Sequence, residues 1–183
     1  MTEIHKRQEQ IIESFVSPLT KFKPIAWHLP RPNPTRYKGS VPLHFEKKLL
    51  DLTGIPNNKD LLNMFSGDSK MGFTVDVKPE TNPDLIHDCH DLPFDDNTFG
   101  NSFRDSPYST QESIELYGTG PLHPTKFTAE QVRVTKPNGL VMIYHINTQP
   151  NPLGCKYLGT ICIITRVQHK LRTCQIFRKE FLH

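Results

Sequence analysis

Between Asp60 and Ser109 the chain alternates short apolar runs with polar breaks, and each break falls on an acid or a glycine. Leu61–Phe65 breaks at Ser66-Gly67-Asp68, and Phe73–Val77 carries Asp76 near its end with Lys78-Pro79 behind it. Pro83–His87 ends at Asp88, and the weaker run Phe99–Phe103 ends at Asp105-Ser106-Pro107-Tyr108. Apolar runs of about 4–8 residues bounded by Gly, Pro, Asn and Asp are the signature of buried strands. The pattern predicts four strands whose carboxyl ends all carry polar groups, and in open α/β sheets those ends are where ligands bind.

Elsewhere the period lengthens. Ile4, Ile11, Ile12 and Phe15 form a thin apolar stripe that predicts a helix over Thr2–Phe15. Leu43, Phe45, Leu49, Leu50 and Leu52 predict an amphipathic helix within Val41–Thr53, stopped by Gly54. Short helices are expected at Gln111–Tyr117 and Thr125–Lys136, with Arg133 on the second pointing to solvent. Strands follow at Leu140–His145, Gly159–Arg166 and Leu171–Lys179, the last two joined by a turn at Gln168-His169-Lys170. Gly67–Met71 is too short for a full crossover helix, since parallel strands need a connection of about a dozen residues, so a tight turn is expected there.

Composition narrows the class. A chain of 183 residues with 36% hydrophobic and 22% charged residues has room for one globular core. The net charge of +3 is too small to name a partner. Cys89, Cys155, Cys162 and Cys174 form no C-x-x-C pair, which speaks against a zinc knuckle or a disulfide framework. His87, His90, His123 and His145 show no ligand spacing, so no metal is expected. Without a signal peptide or long apolar span, the expectation is a cytoplasmic protein with no membrane contact.

The segment Ser17–Ser40 stands apart. It holds five prolines, no acid, six basic groups (Lys21, Lys23, His28, Arg31, Arg36 and Lys38) and the aromatics Phe22, Trp27 and Tyr37. Basic groups for phosphates interleaved with rings for bases suit a DNA or RNA contact. An ordered arm with Trp27 buried and its charges solvated explains the same residues. The expected division is residues 1–40, helix and arm, and residues 41–183, the catalytic or binding domain.

The strand-end motifs resemble those of class I S-adenosylmethionine-dependent methyltransferases, over roughly Phe45 to Lys179. FSGDSKMG (Phe65–Gly72) is similar to the family's first glycine loop, although Asp68 and Ser69 stand where many relatives have a second glycine. The resemblance implies that Phe65, Ser66 and Gly67 approach the cofactor's methionine part and that Asp76, with Val77 beside it, accepts the ribose hydroxyls. It places Asp88 and Cys89 at the adenine. The run Asp91-Leu92-Pro93-Phe94 with Phe99, and the later Lys136-Pro137-Asn138-Gly139, also resemble family segments, with Gly100 where relatives usually have Asp. Asp105-Ser106-Pro107-Tyr108 resembles the Asp-Pro-Pro-Tyr signature of enzymes that methylate exocyclic amines of bases, with Ser106 in place of the first proline.

The resemblance implies a Rossmann-like α/β fold: a mostly parallel seven-stranded sheet with a C-terminal antiparallel hairpin, and a turn in place of the helix before that hairpin. It implies S-adenosylmethionine as cofactor, Asp105 with the Ser106 carbonyl as acceptors for the amine, and Pro107 and Tyr108 as the surface on which a base lies. A methyltransferase of a small molecule or a protein, or a non-catalytic binder of the cofactor, would present the same first three motifs.

Overall fold

The computed structural model describes residues 25–32, 39–118, 120–165 and 171–181. The helix expected at Thr2–Phe15, most of the Ser17–Ser40 arm and the turn Gln168-His169-Lys170 lie outside the described residues. Eight strands form one sheet: β1 (Ile25–His28), β2 (Leu61–Met64), β3 (Phe73–Asp76), β4 (Leu85–Ile86), β5 (Asn101–Asp105), β6 (Leu140–His145), β7 (Cys155–Ile164) and β8 (Arg172–Lys179). Their order is β1-β7-β8-β6-β5-β2-β3-β4. Every pairing is parallel except those of β8 with β6 and β7.

The mostly parallel sheet and its terminal antiparallel hairpin are as expected, but there is one strand more than seven. The addition comes from the arm: Ile25–His28 pairs in parallel with Ile161–Ile164 at the sheet edge. Trp27 from this strand is 9% exposed and packs edge-on against Phe45 at 6.1 Å, with Lys48 Nζ 5.0 Å from its ring. Its ring belongs to the core.

Helices α1 (Phe45–Thr53) and α3 (Pro124–Val134) cover opposite faces, and α2 (Thr110–Tyr117) lies beyond the carboxyl end of β5. Strand alternation divides the apolar residues accordingly. Leu61, Phe103, Met142 and Tyr144 meet Phe45 and Leu49 of α1. Leu62, Met64 and Val75 meet Phe127 and Val134 of α3. All four residues of β2 are buried, which explains why it is apolar but for Asn63. Phe99–Phe103 begins two residues too early as a strand: Phe99 makes only an isolated bridge to Thr135, and β5 runs on through Arg104 and Asp105.

Arg133 is not solvated. Its Nε and Nη2 donate to both oxygens of Glu130 at 2.8 Å, Nη1 donates to the Phe94 carbonyl at 2.7 Å and to Asp96 Oδ1 at 2.9 Å, and Nη2 also reaches the Leu92 carbonyl at 3.0 Å. A loop without its own backbone ladder must satisfy its carbonyls elsewhere, and this guanidinium does so for the loop after β4.

The connection from β2 to β3 is, as expected, a turn. A four-residue strand is only about 13 Å long, so eight extended residues suffice to return beside it. Asn63 pins the returning chain: its Nδ2 donates to Ser69 Oγ at 2.9 Å and to the Met71 carbonyl at 3.1 Å. Gly72 closes the turn at φ 72°, where an added Cβ would sit 2.1 Å from the Leu61 carbonyl oxygen. Gly72→Ala is expected to cost at least ~2 kcal/mol, from left-handed strain and that clash. Urea unfolding would measure it, and an unchanged midpoint would show that the turn relaxes.

Candidate functional site

Strand order reverses at β2: the chain runs outward through β3 and β4, then crosses to β5 on the other side. Loops leaving β2 and β5 must diverge there, which opens a crevice at the carboxyl ends. The crevice is a cavity of about 1300 Å³. It is lined by Phe65, Ser66, Gly67, Asp76, Val77 and Asp88 from one half and by Asp105, Ser106, Pro107 and Tyr108 from the other. Of the residues singled out from the sequence, Cys89 alone does not line it. Its side chain is 1% exposed, packed with Val75 and Leu92, and burial pushes its thiol up.

In the first half Asp76 is the organising group. Its Oδ2 accepts from the Gly67 amide at 2.8 Å and its Oδ1 from the Lys78 amide at 3.0 Å. A carboxylate has about four lone-pair sites, so each oxygen keeps one for a ligand. Phe65 and Gly67 take positive φ values of 55° and 52°, which folds the loop back toward β3. Ser66 is 8% exposed, and its Oγ is buried without a hydrogen-bond partner among the described residues. Asp88 Oδ1 accepts from the His90 amide at 2.9 Å and meets its Nδ1 at 2.6 Å. Burial would raise the Asp88 carboxyl, but the His90 amide and ring and the Lys126 charge hold it below its ordinary value.

At the other end Asp105 is the last residue of β5, and α2 begins five residues later. Ser109 caps α2 by accepting from the Glu112 amide at 3.0 Å, while Glu112 Oε2 reaches back to the Tyr108 amide at 2.6 Å. This reciprocal cap fixes Ser106–Tyr108 against the cavity. Ser106 is 2% exposed, and its Oγ accepts from Arg104 Nη1 at 3.4 Å. Tyr108 lies edge-on to His145 at 5.1 Å, and its hydroxyl accepts from Arg172 Nε at 3.3 Å. Among the described residues Asp105 makes no side-chain hydrogen bond. Burial holds its carboxyl well above the carboxylate range; Arg172 and Arg104 pull it down and Glu112 pushes it up.

Three cavity residues were not singled out from the sequence. Glu46, on α1, accepts from Ser69 Oγ at 2.6 Å, and burial raises its carboxyl. Glu112 was one residue of an expected helix. Arg172 reaches the cavity from β8, far along the chain. Only the capping spacing Ser109-x-x-Glu112 could have been found beforehand. Arg104 lies behind the site: it is 2% exposed, set against Phe127 and Thr128, and burial lowers its guanidinium to about 9.

A carboxyl whose folded pKa is raised binds more protons folded than unfolded, so its contribution to stability falls as pH rises from the ordinary carboxylate range. Asp105→Asn removes that loss. The variant should therefore melt above wild type at pH 8, with the gap closing toward about pH 4. Parallel melting curves across that range would place the Asp105 carboxyl in ordinary solvent.

No family model matches the chain, and no curated protein matches it. Solved structures do. TrmN from Thermus thermophilus superposes with a TM-score of 0.57 at 14% identity, over 78% of this chain and 50% of that one, so the chain spans about half the length of TrmN. A candidate methyltransferase from Bacillus halodurans superposes with a TM-score of 0.55 at 10% identity, over 75% of this chain and 99% of that one. The cyclase SpnF superposes with a TM-score of 0.53 at 12% identity, over 96% and 95%. At such identities the likeness is one of fold. The chain has the Rossmann-like α/β fold of the class I methyltransferases.

Proposed function

We propose that the chain binds S-adenosylmethionine and transfers its methyl group to an exocyclic amine of a DNA or RNA base. One observation carries this reading: a single cavity at the strand-order reversal joins Asp76, at the end of β3, to Asp105, at the end of β5. The residues present suit the cofactor. Asp76 keeps two lone-pair sites for a vicinal diol, and Ser66 lines the same cavity. Asp88 would take the adenine amino group, and the Gly67 backbone would run beside the amino-acid part. Glu46 adds a partly buried carboxyl to the cavity wall beside Ser69.

The cofactor supplies a methyl group already activated on a sulfonium, whose carbon–sulfur electron pair stays with sulfur as a neutral thioether. With that group bound, an amine nitrogen would take the methyl group and give up one proton. Asp105 and the Ser106 carbonyl would accept the amine hydrogens, which turns the lone pair toward the methyl group, and Asp105, once ionised, would receive the released proton. Tyr108, held at its amide by Glu112 and at its hydroxyl by Arg172, would orient the base by stacking. A base in a duplex has to be flipped out to arrive there, so single strands are the easier substrates. The nucleic acid itself would meet the basic arm, of which Arg31 and His28 fall among the described residues.

Three variants test the reading. Asp76→Ala should weaken S-adenosylmethionine binding by about 5–150-fold, the equivalent of 1–3 kcal/mol for a lost buried acceptor, measured by isothermal titration. Asp105→Ala should abolish transfer of labelled methyl to DNA or RNA while leaving cofactor affinity within a factor of two or so. Ser106→Pro should keep or raise activity by fixing φ in advance. Tight cofactor binding without labelling of any nucleic acid would overturn the base-amine reading.

A further inference from the structure

In the steps above Arg172 only holds Tyr108, yet it lines the cavity itself. Its Nε is used on the Tyr108 hydroxyl, and among the described residues Nη1 and Nη2 have no hydrogen-bond partner. Asp105 is likewise without a hydrogen bond. Both groups face one space, and their charges act on each other, but no ion pair joins them among the described residues.

The sheet explains the gap. Asp105 on β5 is level with Tyr144 on β6, and Tyr144 is level with Cys174 on β8. Arg172 lies two residues before Cys174, so by strand alternation it projects from the same face. Strands β5 and β8 flank β6, which separates their backbones by two strand spacings, about 10 Å. Asp105 and Arg172 therefore approach the space above Tyr144 from opposite sides, one offering an acceptor and the other a two-pronged donor.

We infer that Arg172 is the residue that selects the base, and that the base is cytosine; this rests on the base-amine reading. An acceptor beside two donors is the complement of one particular base edge. Cytosine presents its N4 amine, then the N3 and O2 acceptors, in that order. With the N4 amine on Asp105, N3 and O2 fall to the two free nitrogens of Arg172. Adenine presents its amine and N1 but then a carbon-bound hydrogen, which leaves one Arg172 donor without a base partner. Guanine turns its N1–H donor toward the guanidinium. Thymine and uracil have no amine to give Asp105. A site built to satisfy a polar partner discriminates most strongly against analogues that lack it, because its own groups are then stranded.

The test uses the full chain with methyl-labelled S-adenosylmethionine and single-stranded oligothymidine carrying either one cytidine or one adenosine, with plain oligothymidine as blank. Wild type should label the cytidine strand at least tenfold faster than the adenosine strand. Arg172→Met should bring the two rates within threefold by slowing cytidine transfer, and Arg172→Lys, which keeps the charge but loses the fork, should fall between. Cofactor affinity, measured on each variant, reports that the fold persists. Equal or faster labelling of the adenosine strand by wild type, or an unchanged preference in Arg172→Met, overturns the assignment to Arg172 and leaves base-amine transfer standing. Labelling of neither strand by wild type that binds the cofactor overturns both.

Discussion

The carboxylate of Asp76 is the tie on which the site depends. It is 6% exposed, and it accepts from the backbone on both sides: the Gly67 amide in the loop after β2 and the Lys78 amide in the loop after β3. Neither loop has a long helix to stiffen it, because the return from β2 to β3 is a turn. An anion that satisfies two amides in a poorly solvated place is held firmly, since charge-assisted hydrogen bonds are about twice as strong as neutral ones. The shape of the cavity's first half follows from that single group. Asn63 on one side and Gly72 at the far end of the turn keep the loop where Asp76 can reach it.

The second half is built on the opposite principle. Asp105 and the tip of Arg172 face the cavity without hydrogen bonds among the described residues, and Tyr144 Oη is buried without one. Stranded polar groups cost free energy that a fold recovers elsewhere, and places that tolerate them are commonly places that use them. Here the recovery is visible in the cap of α2 and in the aromatic packing of Phe45, Phe103 and Tyr144 below.

What could be read in the chain beforehand was what local chemistry dictates. The runs behind Asp76 and Asp88 were legible because short apolar stretches end abruptly on polar loops; the one behind Asp105 was weaker, since Asn101, Ser102 and Arg104 interrupt it. Strand β1 was not: its four residues sit among prolines, and only pairing with Ile161–Ile164, more than 130 residues away, makes them a strand. The arm's composition left Trp27 with two readings, a base-stacking ring or a buried one, and its packing on Phe45 bears out the second. Arg133 was taken for a surface charge, since the carbonyls of Leu92 and Phe94 that it satisfies lie about forty positions earlier. Arg172 and Glu46 enter the cavity through sheet order and helix placement, which no short spacing encodes.

The fold alone does not decide the chemistry, as its superposition on a cyclase makes plain. What distinguishes this chain is the charge state of the acceptor end. With the cavity free of ligand, burial raises the Asp105 carboxyl and so shifts its balance toward the protonated form, which cannot take a further proton. On the proposed reading a sulfonium cation would be held beside it, and a fixed positive charge a few ångströms away lowers the pKa of a carboxyl in a poorly solvated site. Cofactor binding and ionisation of Asp105 are then linked: each favours the other, and a proton is released as the cofactor enters. On that reading the acceptor gains carboxylate character as the methyl donor arrives. That coupling gives a reason for a fold to keep a carboxyl at this depth with no hydrogen bond of its own, despite what it costs the empty protein.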